Sequence, residues 1–418
     1  MRIVLLTDRF APSIGGVEKQ CGILAREFAE HGCTITIVTD RYLLSLPRVD
    51  LQNGISIYRI WSLSFSRRLF EKQVAFFKAR FLRTKGNIAR GGFRLENRWH
   101  MIFLRTIYRS LMYKLPVLSF AVSSFFALVR HRKEYDVIQV FQTNWLAFSA
   151  VVAGRLLAKP VVAREGSING IDLLDDFPFQ HYTKRILISH SFFVALSRAI
   201  VENLLARGIP RERIAAIPNA VFQPPQHQPT AQDKLSVLFI GNVLNDPLQK
   251  GLDILLRAWR GVTKKITDSR LTVVGVGDFA AFKAIAGELG ILHSINFAGM
   301  RTDVSPLFCS HKIFVLPSRY EGMSNTLLEA MSFGKACLVT AISGSDDLID
   351  NGVNGLKVEP ENVEALEAAL LYLLEHEAEA RALGDAAQEY VRRHHSPEKI
   401  TRQYIDLYST ILANSSVR

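Results

Sequence analysis

Two glutamates, Glu321 and Glu329, stand eight positions apart around what reads as the start of a helix. Residues 314–316 are an apolar strand that ends at Pro317, and the loop after it carries Glu321 and Gly322. Ser324, Asn325 and Thr326 then follow, residue types that favour a helix N-cap. The free N–H groups of such a helix start, together with the positive end of its dipole, form a site for a phosphate. Glu329, about one turn inside, could accept hydrogen bonds from sugar hydroxyls. For any such string taken singly, a plain strand-loop-helix with a capping network is a common outcome.

Sites of this kind open at the carboxyl ends of strands in doubly wound sheets, and the sequence supplies two such sheets. Near the start, an apolar run at residues 3–6 leads into Ser13-Ile14-Gly15-Gly16, a helix at 17–31 and a β-rich run at 34–39. Val17, Cys21, Leu24, Ala25 and Phe28 share one face of that helix. Strand, glycine turn, helix and strand make a βαβ unit, and further strands are predicted at 137–141, 160–163 and 192–196. Residues 222–230 are rich in Pro and Gln and read as a linker. A second series follows, with strands at 236–240, 271–274, 295–297, 313–316 and 336–340 and a helix at 252–262. A chain of 418 residues, 48% of them hydrophobic, is long enough for two cores. The expected organisation is therefore a first Rossmann-like domain at 1–222, a linker at 223–233 and a second domain at 234–396. An amphipathic helix at about 397–418 is expected to return to the first domain, with Ile400, Tyr404, Ile405, Leu407, Tyr408 and Leu412 on its apolar side.

The formal net charge of +12 favours anionic partners. Much of it is concentrated in an insert at about 61–115, where thirteen Lys and Arg face only Glu71 and Glu96, with Phe, Tyr and Trp interleaved. Cations beside rings suit the headgroup layer of an anionic membrane; helices packed on the core with a solvated basic face fit the same pattern. No RNA-binding motif accompanies the charge, and no nucleic-acid partner is expected. Cys21, Cys33, Cys309 and Cys337 have neither metal-ligand nor CxxC spacing, which suits a reduced chain. The first apolar run is broken by Thr7 and Asp8, too early for a signal-peptide core. The longest apolar stretch, 116–129, falls short of the roughly 20 residues of a membrane span and is expected to form a buried helix. A cytoplasmic chain, with peripheral attachment to the inner face of the cytoplasmic membrane as an option, is the expectation.

The string EGMSNTLLEAMSFGK, with Glu321 and Glu329 in a Glu-x7-Glu spacing, resembles the signature of the family 4 glycosyltransferases. The similarity continues through residues 348–356, Ile217-Pro218-Asn219-Ala220-Val221 and the first βα turn, and covers most of the chain outside the basic insert. The resemblance implies an α/β fold of GT-B type, two Rossmann-like doubly wound domains facing a central cleft. It also implies a retaining hexosyltransferase that takes its sugar from a nucleotide-diphosphate donor, with UDP favoured over GDP. Glu321 would face the transferred sugar and Glu329 bind the ribose. Backbone amides around Met323, Ser324 and Asn325, with Thr326, would hold sugar and diphosphate. Lys250 matches the diphosphate-binding lysine, and Gly15 and Gly16 match a glycine turn whose backbone can approach a phosphate.

The sequence departs from the family pattern in two places. Gly241-Asn242 stands where an arginine is usual, leaving Asn242 at the donor side with no charge. Arg164-Glu165-Gly166 stands where many members have a histidine, so Arg164, Glu165 and Asp172 are the candidates on the acceptor side. Departure of a diphosphate requires cations, helix dipoles or a metal ion. No DxD-like motif lies in a suitable loop, Asp175-Asp176 and Asp346-Asp347 reading as helix-start or solvated acids, so neither a metal nor another cofactor is expected. The expected acceptor is lipid-linked or a polysaccharide, in cell-surface glycan synthesis of the lipopolysaccharide type. The competing expectations are a nucleotide-sugar-binding regulator without catalysis and another GT-B enzyme such as a sugar-nucleotide epimerase.

Overall fold

The computed structural model of the chain describes residues 1–13, 15–63, 115–167, 170, 180–224, 233–244 and 246–415. Ile14, the basic segment 64–114, Asp172, Asp175, Asp176 and linker residues 225–232 lie outside the described residues.

One sheet has eight strands: β1 (Arg2–Thr7), β2 (Thr34–Asp40), β3 (Val49–Gln52), β4 (Ile55–Ile60), β5 (Val137–Val140), β6 (Val161–Glu165), β7 (Phe192–Ala195) and β8 (Ile214–Ala216). Their order is β3-β4-β2-β1-β5-β6-β7-β8. β1 pairs in parallel with both β2 and β5, so the strand order reverses at β1. The helices that follow these strands are α1 (Gly16–Glu30), α2 (Leu115–Arg130), α3 (Trp145–Leu157), α4 (Gln180–His190) and α5 (Arg198–Ala206). β1 is the centre of this core: Ile3, Leu5 and Leu6 are wholly buried, as strands covered on both faces require.

The second sheet is parallel throughout, with β9 (Asp233–Ile240), β10 (Arg270–Val274), β11 (Ile295–Gly299), β12 (His311–Leu316), β13 (Ala336–Thr340) and β14 (Leu356–Val358) in the order β11-β10-β9-β12-β13-β14. Around it lie α6 (Leu252–Lys265), α7 (Ala280–Glu288), α8 (Ser305–Ser310), α9 (Asn325–Ser332), α10 (Ser343–Asp346), α11 (Val363–Glu375) and α12 (Glu377–His394), and the last helix is α13 (Pro397–Ser415). Strand order reverses between β9 and β12, so the loops leaving these two strands diverge and open a crevice between them. Those loops carry Lys250 and Glu321.

The chain forms two compact units, residues 1–165, 169–194 and 408–418 in one, residues 166–168 and 195–407 in the other. The division falls at residue 195 and inside α13, not at 222 and 397. The reason is a set of long-range hydrogen bonds, described below, that tie residues 197–221 to α9 and to Asp347 and His395, which cap the ends of α10 and α12. In the first unit the end of α13 is anchored by Tyr408, whose ring lies 5.8 Å from Phe28 and whose hydroxyl donates to Gln139 Oε1 at 2.7 Å.

The stretch expected to form a buried helix does form one, α2, but it is not buried all round. Phe120, Ala121, Ala127 and Leu128 face the core, while Leu115, Leu118, Val122 and Phe126 are exposed. An apolar composition marks a helix as wanting cover without saying how much of it the fold supplies. Among the described residues, no helix is long and apolar enough to cross a membrane.

Candidate active site

In the second unit, the Lys250 ammonium and the Glu321 carboxylate form an ion pair whose side chains are 15% and 10% exposed. Ser318 Oγ donates to the same oxygen, Glu321 Oε1, at 2.8 Å. A pair this enclosed has surrendered most of its water, so each partner needs the other. Ser324 is the N-cap of α9, its Oγ accepting from Leu327 N at 3.3 Å, and Thr326 Oγ1 lies 3.1 Å from it. Ser318, Glu321, Ser324, Thr340, Gly344 and Ser345 line one narrow pocket between the ends of β12 and β13. Glu329 lies on α9, half-buried.

Three features hold Lys250 against Glu321. The first is Gly251, which caps α6 at φ +65°; a Cβ there would lie 1.8 Å from Pro317 O. Only glycine permits that backbone contact. The second is Arg319, whose guanidinium donates to both oxygens of Asp253 at 2.8 Å, to Leu248 O and to Glu361. Its hydrogen bond to Asp253 pushes the already high guanidinium pKa higher still. The third is a set of loop contacts: Arg319 N donates to Gln249 O at 2.8 Å, Gln249 Nε2 to Tyr320 O at 3.2 Å, and Tyr320 Oη to Asp246. Residues 246–251 and 317–322 are thus one clamped assembly.

The start of α9 has its own brace. Asn219, 2% exposed, donates from Nδ2 to Asn325 Oδ1 at 2.9 Å and from its backbone to Met323 Sδ at 3.3 Å. Asn219 O in turn accepts from His395 Nδ1 at 2.9 Å, and His395 O accepts from Val221 N at 3.0 Å. Burial pushes the His395 pKa down from 6.5 to about 4, so the ring is neutral at physiological pH with its proton on Nδ1. Asp346 and Asp347 stand at the end of α10 and not at a helix start of their own; Asp347 accepts from Arg198 N at 2.7 Å at the start of α5.

The remaining expected residues are placed as follows. Asn242 is exposed, and its Oδ1 closes a local turn by accepting from Leu244 N at 2.9 Å. In the first unit Gly15 is the N-cap of α1, and the Glu18 carboxylate folds over it, 2.2 Å from where a Cβ would stand. That helix start therefore already faces an anion of its own chain. Arg164 and Glu165, at the end of β6, are 3% and 4% exposed. Arg164 lies over the Phe141 ring at 5.4 Å and Glu165 accepts from Thr143. Asp172 is outside the described residues. Sequence reasoning did not find Arg319, Asp253, Gln249 or His395; Asn219 stood in a recognised string but with no role.

Two family models match the chain, a glycosyl transferase 4-like domain over residues 15–220 and glycosyl transferases group 1 over residues 234–376. The chain belongs to the family 4 glycosyltransferases. The transferase is 23% identical over 333 residues to an N-acetyl-α-D-glucosaminyl L-malate synthase of Bacillus anthracis, covering 77% of this chain and 87% of that enzyme. It is 30% identical over 172 residues to a lipopolysaccharide 1,6-galactosyltransferase of Salmonella typhimurium, a match that spans 39% of this chain and 47% of that enzyme. Among solved structures, Anabaena HepE in complex with UDP and glucose superposes with a TM-score of 0.68 at 16% identity, covering 98% of this chain and 99% of that one. The shared fold is GT-B, with two Rossmann-like domains.

Two outcomes follow from the braces. Arg319→Lys keeps the charge but loses the two-pronged contact with Asp253, so transfer should fall on the order of 10- to 100-fold through misplacement of Lys250. Transfer at the wild-type rate, with circular dichroism unchanged, would contradict the clamp. For His395 the folded pKa lies below the unfolded value, so the unfolded chain binds the extra proton. The stabilisation is complete above the unfolded pKa of 6.5 and is lost as pH falls towards about 4. Melting temperature should decline across that window, and His395→Asn, which can still donate to Asn219 O, should flatten the decline; identical slopes in the two proteins would remove His395 as its source.

Proposed function

We propose that this transferase moves a sugar from a UDP-sugar to a lipid-linked or polysaccharide acceptor, with retention of configuration at the anomeric carbon and without a metal ion. The observation that carries the reading is the enclosed Lys250–Glu321 pair beside the capped start of α9. It puts a fixed cation, the positive end of a helix dipole and a carboxylate into one small volume, the set that a sugar diphosphate requires. The similarity to a lipopolysaccharide galactosyltransferase and to a GlcNAc-malate synthase favours a glycan or small hydroxylated acceptor, and UDP in HepE favours the uridine nucleotide.

The chemistry assigns each group a task. As the bond between the anomeric carbon and the β-phosphate oxygen breaks, negative charge collects on UDP. Lys250 and the N-terminus of α9 stabilise that charge in place of a metal ion. Without donor, Lys250 is neutralised by Glu321; with donor, the ammonium lies between the carboxylate and the diphosphate and screens one anion from the other. Glu321 is then left to accept hydrogen bonds from hydroxyls of the transferred sugar, and Glu329 from the ribose. The acceptor oxygen bonds the anomeric carbon on the face that UDP leaves, and its proton passes to the departing phosphate oxygen. No separate protein base is required, in keeping with the lack of a histidine beside Arg164.

Glu321→Ala should lower turnover on the order of 100-fold or more while leaving UDP affinity nearly intact, whereas Glu329→Ala should weaken UDP binding on the order of tenfold. Calorimetric UDP titration and initial rates separate the two, and wild-type behaviour in both variants would end the assignment. A UDP-sugar that raises the melting temperature but is never turned over would mark a nucleotide-sugar binder without catalysis. A chelator should leave transfer unchanged; loss of activity restored by added divalent metal would refute metal independence.

A further inference from the structure

The helix α2, LPVLSFAVSSFFALVR, contains no charged residue before its last position. Its inward side is accounted for by Phe120, Ala121, Ala127 and Leu128 in the core. Its outward side is not polar, as the exposed side of a helix on a water-facing domain would be. Leu115, Leu118, Val122 and Phe126 are 40, 37, 50 and 64% exposed. Spacings of three and four put them in one stripe, about 17 Å long at 1.5 Å per residue. The neighbouring α3, which packs against α2, exposes Val152 and Leu156 as well. Just past the C-terminal end of the stripe, Arg130, Arg132 and Lys133 are all exposed, with Glu134 the nearest acid in the chain and already paired to His131 at 2.8 Å.

We propose that this face of α2 docks on an anionic bilayer surface, the four apolar side chains entering the interfacial layer and Arg130, Arg132 and Lys133 meeting lipid phosphates. The geometry fits a helix that lies on a membrane and does not enter it end-on: sixteen residues span about 24 Å, less than the roughly 30 Å hydrocarbon core. Apolar side chains backed by cations are what binds such a helix to anionic lipid. A second copy of the chain is a poorer occupant. A two-fold contact sets the same patch against itself, bringing the two cationic clusters into one interface. A stable dimer also buries about 800 Å² per partner, well beyond four part-exposed side chains. The inference rests on the proposed lipid-linked acceptor for its purpose, since such an acceptor is presented at this kind of surface.

Vesicle flotation of the full chain tests it. The protein should float with vesicles of phosphatidylcholine and phosphatidylglycerol and not with phosphatidylcholine alone. The double variant Val122→Ser, Phe126→Ser should bind anionic vesicles about tenfold more weakly or worse, and Arg132→Glu with Lys133→Glu should do the same while melting like the wild type. Should the double serine variant melt early, Phe126→Gln alone supplies the readout. Equal flotation of variants and wild type, equal flotation on neutral and anionic vesicles, or a wild-type dimer that the serine variant turns into monomer would each overturn the docking face. UDP-induced thermal stabilisation, measured on the same samples, keeps the two readings apart. Stabilisation without flotation defeats the docking face alone, and flotation without stabilisation defeats the UDP donor alone.

Discussion

The Lys250–Glu321 contact depends on two loops being held together, and Arg319 is the side chain that ties them most extensively. An ammonium and a carboxylate taken out of water lose solvation that their mutual attraction regains only in good geometry. That geometry is set by two loops leaving different strands, and the Arg319 guanidinium spans both, through Asp253 and Leu248 O on one side and its own backbone on the other. Asp253 sits in the first turn of α6, where a negative charge also answers the helix dipole. The clamp therefore stabilises the helix start that follows Lys250 as well as the lysine's position, and Gly251 allows the two backbones to come close enough for it to close.

Much of the fold was legible because the parallel strands are buried on both faces and read as short β-branched runs. Residues 336–340 match β13 end to end, and 271–274 lie inside β10. The edge strand β3, Val49–Gln52, was not legible: its residues are mostly exposed and carry no apolar run. The position of α2 was legible, but its half-exposed face was not, because a run of apolar residues has no polar side to show which way it points. The division between the units was displaced for a similar reason. The Pro- and Gln-rich stretch marks where regular structure stops, while hydrogen bonds from Asn219, Val221 and Arg198 decide which unit the preceding residues join.

At the candidate site, the residues within one short string were readable and their supports were not. Glu321, Ser324, Asn325 and Glu329 share a strand-loop-helix, so spacing alone locates them. Arg319 lies inside the same string, yet its partner Asp253 is 66 positions away, and Asn325 meets Asn219 across 106. Nothing local distinguishes Arg319 from a solvated arginine. Asn242, expected to face the donor, spends its side chain on its own turn, and Arg164 and Glu165 are buried among Phe141 and Thr143. A motif names the groups a ligand needs; the packing around it determines which of them are held in place.

The bond between His395 and Asn219 joins residues 176 positions apart. During synthesis the Asn219 carbonyl therefore waits, without this partner, until the whole second sheet and α12 have left the ribosome. Contacts of such long range close late, because the intervening chain must first be ordered. The brace on α9 is then among the last features of the second unit to form. A nascent chain that already has its strands would hold the start of α9 only loosely until His395, the residue that caps the end of α12, docks on Asn219.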